Sequence, residues 1–294
     1  MKIIFLFLTF FYIHISYSQN YVIKKIEINI DNKIDGICPV YDQYTGMLLI
    51  GGISLDKNLN VYVVDFGDSS IKKFDNSGKF LGKTKTKGIS FGNVYYYNNK
   101  IFSLNQLNRK NDLYIFNSNT LELLSYKTHI YESRTGDQPC FFQDGLLVID
   151  QLDRFHVYDL RKLKMVYNLK SPFNYCMYRD LSEQELEFLM NRQQLNSNPS
   201  YIGRITNYFL FFKEDYSVDD KFNLALINVD ENSILKSTFS VIRNKDIYGI
   251  VFHDQVGLLK SHGYFYILGF EDGKMVINLI DLKKLFPMVK ISQQ

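Results

Sequence analysis

Asn60-Val61-Tyr62-Val63-Val64-Asp65-Phe66-Gly67-Asp68-Ser69-Ser70-Ile71-Lys72-Lys73-Phe74-Asp75-Asn76-Ser77-Gly78-Lys79-Phe80-Leu81-Gly82-Lys83 reads as strand, turn, strand, turn, strand. A β-branched and aromatic run ends at Asp65, and a small polar loop follows. The next run ends at Phe74, before Asp75-Asn76-Ser77-Gly78, whose residue types favour a tight turn.

This punctuation recurs. Five places carry an aromatic or aliphatic strand end followed by Asp or Asn and a polar turn: Phe74-Asp75, Phe116-Asn117, Tyr158-Asp159, Ile227-Asn228 and Ile280-Asp281. The first three stand 42 residues apart, and the later gaps are 69 and 53. Each is preceded by a strand-like run: Val61–Val64, Ile101–Leu104, Leu146–Ile149, Tyr208–Phe212 and Tyr264–Leu268. Before those runs stand shorter apolar stretches, among them Met47–Ile50, Val94–Tyr97 and Ile250–Phe252, expected to be the first strand of their units. Four strands in about 42 residues is the size of a β-propeller blade, and a radial arrangement manages the edges that so many strands would expose. The fold expected is all-β, a single propeller of four-stranded blades. Five blades are directly readable and six are expected, with Tyr21–Ile30 a spare N-terminal strand that would complete the last blade.

The 69-residue gap has its own reading. Ser182 as N-cap and Glu185 three residues on form a capping box, Leu181 and Leu186 sit where a hydrophobic staple places them, and Leu186, Leu189 and Met190 mark one face at helical spacing. One inserted helix is expected near 183–195.

Residues 1–18 belong to a different class. Met1-Lys2 precedes a continuous apolar run from Ile3 to Ile15, and Ser16-Tyr17-Ser18 supplies small residues before a cut expected ahead of Gln19. That is the pattern of a secretory signal peptide, with an apolar run of about 13 residues where a bilayer span needs about 20. Residues 19–294 then form one domain, exported to the periplasm or the extracellular space, with no membrane span. With 34 basic and 31 acidic side chains the net charge is +3, and the leader removes only Lys2. This balance argues against a nucleic-acid partner. Cys38, Cys140 and Cys176 are an odd number for an exported chain and match no zinc spacing, so at most one internal disulfide can form.

From Tyr21 to about Lys127 the chain resembles the six-bladed propellers exported by Bacteroidota and, more distantly, NHL-type propellers. The resemblance rests on the Val61–Asp65 strand, the Phe74-Asp75-Asn76-Ser77-Gly78-Lys79-Phe80-Leu81 turn and the N-terminal extended strand. It implies the fold and says nothing about ligands.

Propellers keep their sites on loops gathered at one end of a central channel, where the connections between second and third strands lie. Here those loops offer Asp65, Asp68, Asn105, Asp150, Asp153, Glu214, Asp215, Glu271 and Asp272 as candidate ligand-binding residues. Their oxygens suit a divalent cation or a polar ligand. Asp75, Asn76, Asn117, Asn119, Asp159 and Asp230 decorate the opposite end in the same style, because Asp and Asn favour turns. No metal-binding histidine motif, nucleophile elbow or phosphate loop is present. The one Ser/His/Asp grouping is His253-Asp254 with Ser261-His262-Gly263. Of the tyrosines Tyr95-Tyr96-Tyr97, alternation forbids all three from sharing a face. The function expected is a monomeric binding module for a protein, peptide or glycan; the alternative is a metal-dependent hydrolase or lactonase of a six-bladed type.

Overall fold

A computed structural model describes residues 21–31, 33–43, 47–86, 89, 91–105, 112–128, 130, 138–143, 145–151, 154–170, 200–205, 208–214, 221–228, 233–240, 250–251, 256–287 and 289. The leader and the helix expected near 183–195 lie outside the described residues, as do Cys176, His253, Asp254 and Asp230.

The described residues lie mostly in strands. The first are β1 (Val22–Asn29), β2 (Val40–Asp42) and β3 (Met47–Leu49). Sheet one is the meander β4 (Ile53–Leu55), β5 (Val61–Asp65), β6 (Ser70–Phe74) and β7 (Phe80–Lys83). Sheet two is β8 (Phe91–Tyr97), β9 (Lys100–Asn105), β10 (Asp112–Asn117) and β11 (Leu123–Lys127). Sheet three is β12 (Gln138–Gln143), β13 (Leu146–Gln151), β14 (Arg154–Asp159) and β15 (Lys164–Lys170). Sheet four is β16 (Ser200–Ile205), β17 (Tyr208–Glu214), β18 (Lys221–Asn228) and β19 (Ser233–Ser240). After β20 (Ile250–Val251), sheet five takes β21 (Val256–Leu259), β22 (Tyr264–Glu271) and β23 (Lys274–Asp281) from the C-terminal end and β1 from the N-terminal end. A short helix, Leu282–Leu285, follows.

All five runs that precede the repeated strand ends lie on the second strand of their sheets, and the spare N-terminal strand pairs antiparallel with β23 from Val22↔Ile280 to Asn29↔Lys274. Two expected first strands are corrected. Met47–Leu49 and Ile250–Val251 do not open sheets one and five, Phe252 lying outside the described residues; β3 and β20 instead pair parallel with each other, Leu48 opposite Ile250, in a small sheet completed by β2. Gly51-Gly52 is the reason at sheet one. Gly51 N–H donates to Val64 O and Val64 N–H to Gly52 O, and a Cβ on Gly51 would collide with the Val64 side chain. The two glycines thus lie as a bulge against Val64 at the end of β5, and the buried triplet Ile53-Ser54-Leu55 takes the first-strand place.

Alternation within each strand feeds two cores. Val61 and Val63 of β5 pack with Ile26 and Ile28 of β1 and Met275, Ile277 and Leu279 of β23, between sheets five and one. Their neighbours Tyr62 and Val64 pack with Phe91, Val94, Ile101 and Phe116, between sheets one and two. Phe102, Leu104, Leu113 and Ile115 join Leu147 and Tyr158, between sheets two and three. Phe265, Ile267 and Ile280 of sheet five meet Ile205, Leu210, Leu224 and Leu226 of sheet four. Sheets four, five, one, two and three are thus stacked face on face in that order. Strands buried on both faces read as continuous apolar runs, which is why the sequence shows runs and not apolar-polar alternation. Tyr96 packs toward sheet one, whereas Tyr95 and Tyr97 pack toward sheet three.

The repeated strand end has a structural counterpart. Where Phe74, Phe116, Tyr158 and Ile280 close their strands, the outer partner strand carries one additional residue: Leu81, Leu124, Val166 and Ile23. The Asp or Asn that follows holds the turn. Asp75 Oδ1 accepts the N–H of Ser77 (2.8 Å) and Lys79 (3.0 Å), Asn117 Oδ1 that of Asn119 (2.8 Å), Asp159 Oδ1 that of Arg161 (2.8 Å), and Asp281 Oδ1 that of Lys283 (2.8 Å). Side-chain acceptors of this kind make the turn a local property of the sequence.

Candidate functional site

Of the candidate loop residues, Asp65 and Asp68 are drawn together, around two lysines. Asp65 ends β5 and is wholly buried, and Lys72 on the neighbouring β6 is 1% exposed. Lys72 Nζ lies 2.7 Å from Asp65 Oδ2 and donates to Gly36 O at 2.7 Å. Asp65 also accepts the N–H of Cys38 at Oδ2 (2.9 Å) and of Asp68 at Oδ1 (3.0 Å). Asp68 Oδ2 stands 3.6 Å from Lys72 Nζ and takes Lys83 Nζ at 2.7 Å and Ser70 Oγ at 3.1 Å. Burial pushes the Asp68 carboxyl up, but the Lys83 hydrogen bond and the Lys72 charge outweigh it and hold the group below its ordinary range. Burial, aided by the Asp65 charge, raises the Cys38 thiol.

These contacts strap residues 36–38 across the β5–β6 turn. Gly67 N–H completes the strap by donating to Cys38 O at 2.9 Å, and a Cβ at Gly67 would strike Cys38 Sγ. The carboxylates of Asp65 and Asp68 are therefore occupied by ammonium groups and backbone N–H donors.

Glu271 and Asp272 sit in the β22–β23 turn. Glu271 Oε2 binds Lys25 Nζ at 2.9 Å, and Lys274 Nζ reaches back to Glu27 at 2.8 Å, so the turn is tied to β1. Asp272 (φ 50) and Gly273 (φ 74) take the positive-φ pair of a tight hairpin turn and leave Asp272 exposed. Asn105 faces Asp112 in register at the mouth of the β9–β10 loop. Asp150 pairs with Phe155 and Glu214 with Phe222 through the backbone. Asp153 and Asp215 lie outside the described residues. Among the described residues no three His, Cys, Asp or Glu side chains converge as a metal site. Nor is any helix there long and apolar enough to cross a membrane.

Ser261 and His262 occupy the turn before β22, with Ser261 Oγ 2.8 Å from His262 Nδ1 and the imidazole 5.3 Å from the Tyr264 ring. They stand at the opposite end of β22 from Glu271, so the structure does not bring them to the candidate loops.

A second polar cluster, at the far end of sheet one, escaped the sequence reading. Asp56 accepts the N–H of Asn58 (2.8 Å) and Asn60 (2.9 Å), Asn60 Nδ2 (2.8 Å) and Tyr62 OH (3.0 Å). Lys73 donates to Ser118 O of sheet two at 2.9 Å and lies 5.4 Å over the Tyr62 ring. Tyr62 in turn stacks on Tyr96, 5.9 Å between centroids. Burial lowers the Lys73 ammonium, and burial with the Asp56 charge raises the Tyr62 phenol far above its ordinary value. The signal available was Lys72-Lys73 inside an apolar strand: adjacent lysines on opposite faces of a doubly covered sheet must both find buried partners.

No protein-family model matches the chain, and no curated protein matches it. Solved structures align with the chain at low sequence identity. A protein of Bacteroides fragilis NCTC 9343 classed provisionally as exported aligns over 90% of this chain and 97% of its own, with 12% identity and a TM-score of 0.47. The computationally designed Ika4 protein aligns over 65% of this chain and 91% of its own (13% identity, TM-score 0.33). Hydrazine synthase of Kuenenia stuttgartiensis aligns over 78% of this chain and 57% of its own (8% identity, TM-score 0.35).

Proposed function

We propose that the sheets are blades of one β-propeller and that the chain is an exported binding module. Its ligand is a protein, peptide or glycan, held by the loops that join second to third strands at one end of the channel. The observation that carries the architecture is the two-sided stacking: alternate residues of β5 and of β22 serve different neighbouring sheets, and β1 joins the two chain ends in one sheet. The five four-stranded sheets among the described residues count toward the six blades expected, five being the alternative, and the three-stranded β2-β3-β20 sheet stands beside them.

Within the loop end, the lysine-bound Asp65 and Asp68 act as scaffold, which moves the weight of recognition to the exposed Asp272 and the remaining loop residues. Immobilised protein screened against a glycan array, a peptide library and an extract of exported proteins tests the reading. Hits should weaken at least tenfold in Asp272→Ala and persist in Asp75→Ala at the opposite end. Binding lost only in the opposite-end variant would overturn it.

A further inference from the structure

Sheet two ends in an exposed apolar edge. β11 is the terminal strand in the order β11-β10-β9-β8, and every residue from Leu123 to Lys127 is exposed. Leu123 (43%), Leu124 (51%) and Tyr126 (57%) are large apolar or aromatic side chains on that one strand. The corresponding strand of sheet one, β7, keeps Phe80 half-buried against Phe74 and has only Leu81 exposed. An exposed apolar edge is a template for another strand unless something blunts it. At β11 the additional residue Leu124 leaves both leucines in solvent, while stacking on Tyr114, 5.8 Å away at 17°, fixes the Tyr126 ring.

The sequence of this edge is complementary to itself. Read against its own reverse with Leu124 as the bulged residue, Glu122-Leu123-Leu124-Ser125-Tyr126-Lys127 sets Glu122 opposite Lys127, Leu123 opposite Tyr126 and Ser125 opposite itself. Each antiparallel pairing then contains two opposite-charge pairs and two aliphatic–aromatic pairs, the cross-strand combinations that stabilise a sheet. Any other register loses the charge match at one end or both.

We propose that β11 is a self-recognition edge: two copies of this chain pair antiparallel through Glu122–Lys127, related by a two-fold axis at Ser125. This departs from the monomer expected from the sequence. The contact is isologous and closes at two subunits, so it does not propagate into a fibre. One strand pair is a small interface, so the dimer is weak and concentration-dependent.

The test uses the full chain in sedimentation velocity across a concentration series. Wild type should move from the protomer mass toward twice that value. Glu122→Lys and Lys127→Glu should each stay at the protomer mass, because each puts like charges opposite one another at both ends. An equimolar mixture of these two variants should dimerise again, and so should the double variant Glu122→Lys/Lys127→Glu. Both positions are exposed, and a thermal melt of each variant verifies that the fold is kept. A wild type that stays at the protomer mass throughout, or single variants that dimerise as well as wild type, would overturn the proposal; the latter would move the contact to another surface.

Discussion

Lys72 Nζ is 2.7 Å from Asp65 Oδ2, with both side chains sealed from solvent, and the pair holds the backbone of residues 36–38 against the β5–β6 turn. Breaking one side of a buried pair strands the other charge, which typically costs about 3–5 kcal/mol. Lys72→Met should destabilise by that order in denaturant unfolding. Asp65→Asn with Lys72→Met should lose distinctly less than the single lysine change, because no unpartnered charge is left behind.

Lys73, next in sequence, should behave differently. Its ammonium has a carbonyl and an aromatic face for partners, and burial already disfavours its charge. In Lys73→Met the Ser118 carbonyl still has the Tyr62 hydroxyl 3.1 Å away, whose single proton it shares with Asp56. The expected change in unfolding free energy is within about 1 kcal/mol of zero. A loss as large as that of Lys72→Met would refute the contrast.

Gly78 closes the turn after Asp75 at φ 85, and a Cβ there would run into the backbone carbonyl of Glu27 in β1. Gly78→Ala combines positive-φ strain with a clash against main chain, so about 2 kcal/mol or more should be lost. Hydrogen exchange should show the damage in β1 as well as in the β6–β7 turn, although the two are remote in sequence.

Acid should unfold the protein through its turn and edge carboxylates. Hydrogen bonds from Ser77 hold Asp75 below its ordinary range, the Arg161 contact does the same for Asp159, and Lys274 for Glu27; Asp68 joins them through Lys83 and Lys72. A carboxyl with its folded pKa below the unfolded value adds stability above the unfolded value, and loses it as pH falls through the folded one. Melting temperature should therefore be level from neutral pH to about 5 and fall below about 4. Asp75→Asn should lessen that acid slope.

The turns were legible because their chemistry is local: Asp75, Asn117, Asp159 and Asp281 each accept from backbone N–H groups within a few residues. The strands before them were legible as apolar runs. First strands were not, because Met47–Ile50 and Ile250–Phe252 are apolar runs too, and nothing local says that their partners are each other across 200 residues. Asp65 shows the same limit at the candidate site. Its place at a strand end marks a loop carboxylate, whereas its role comes from Lys72 on the next strand and from the N–H of Cys38, which only the fold brings near.

Pairing β1 with β23 also sets the order of events when the chain is made. Lys25 meets Glu271 and Lys274 meets Glu27 across 246 and 247 residues. The first strand synthesised therefore has no ladder partner until almost the last has emerged. Contacts of such sequence separation make folding slow. A chain cut short before Lys274 would leave Ile26 and Ile28 without the Met275, Ile277 and Leu279 side chains that bury them, so proteolytic clearance should recognise incomplete chains by this one uncovered strand.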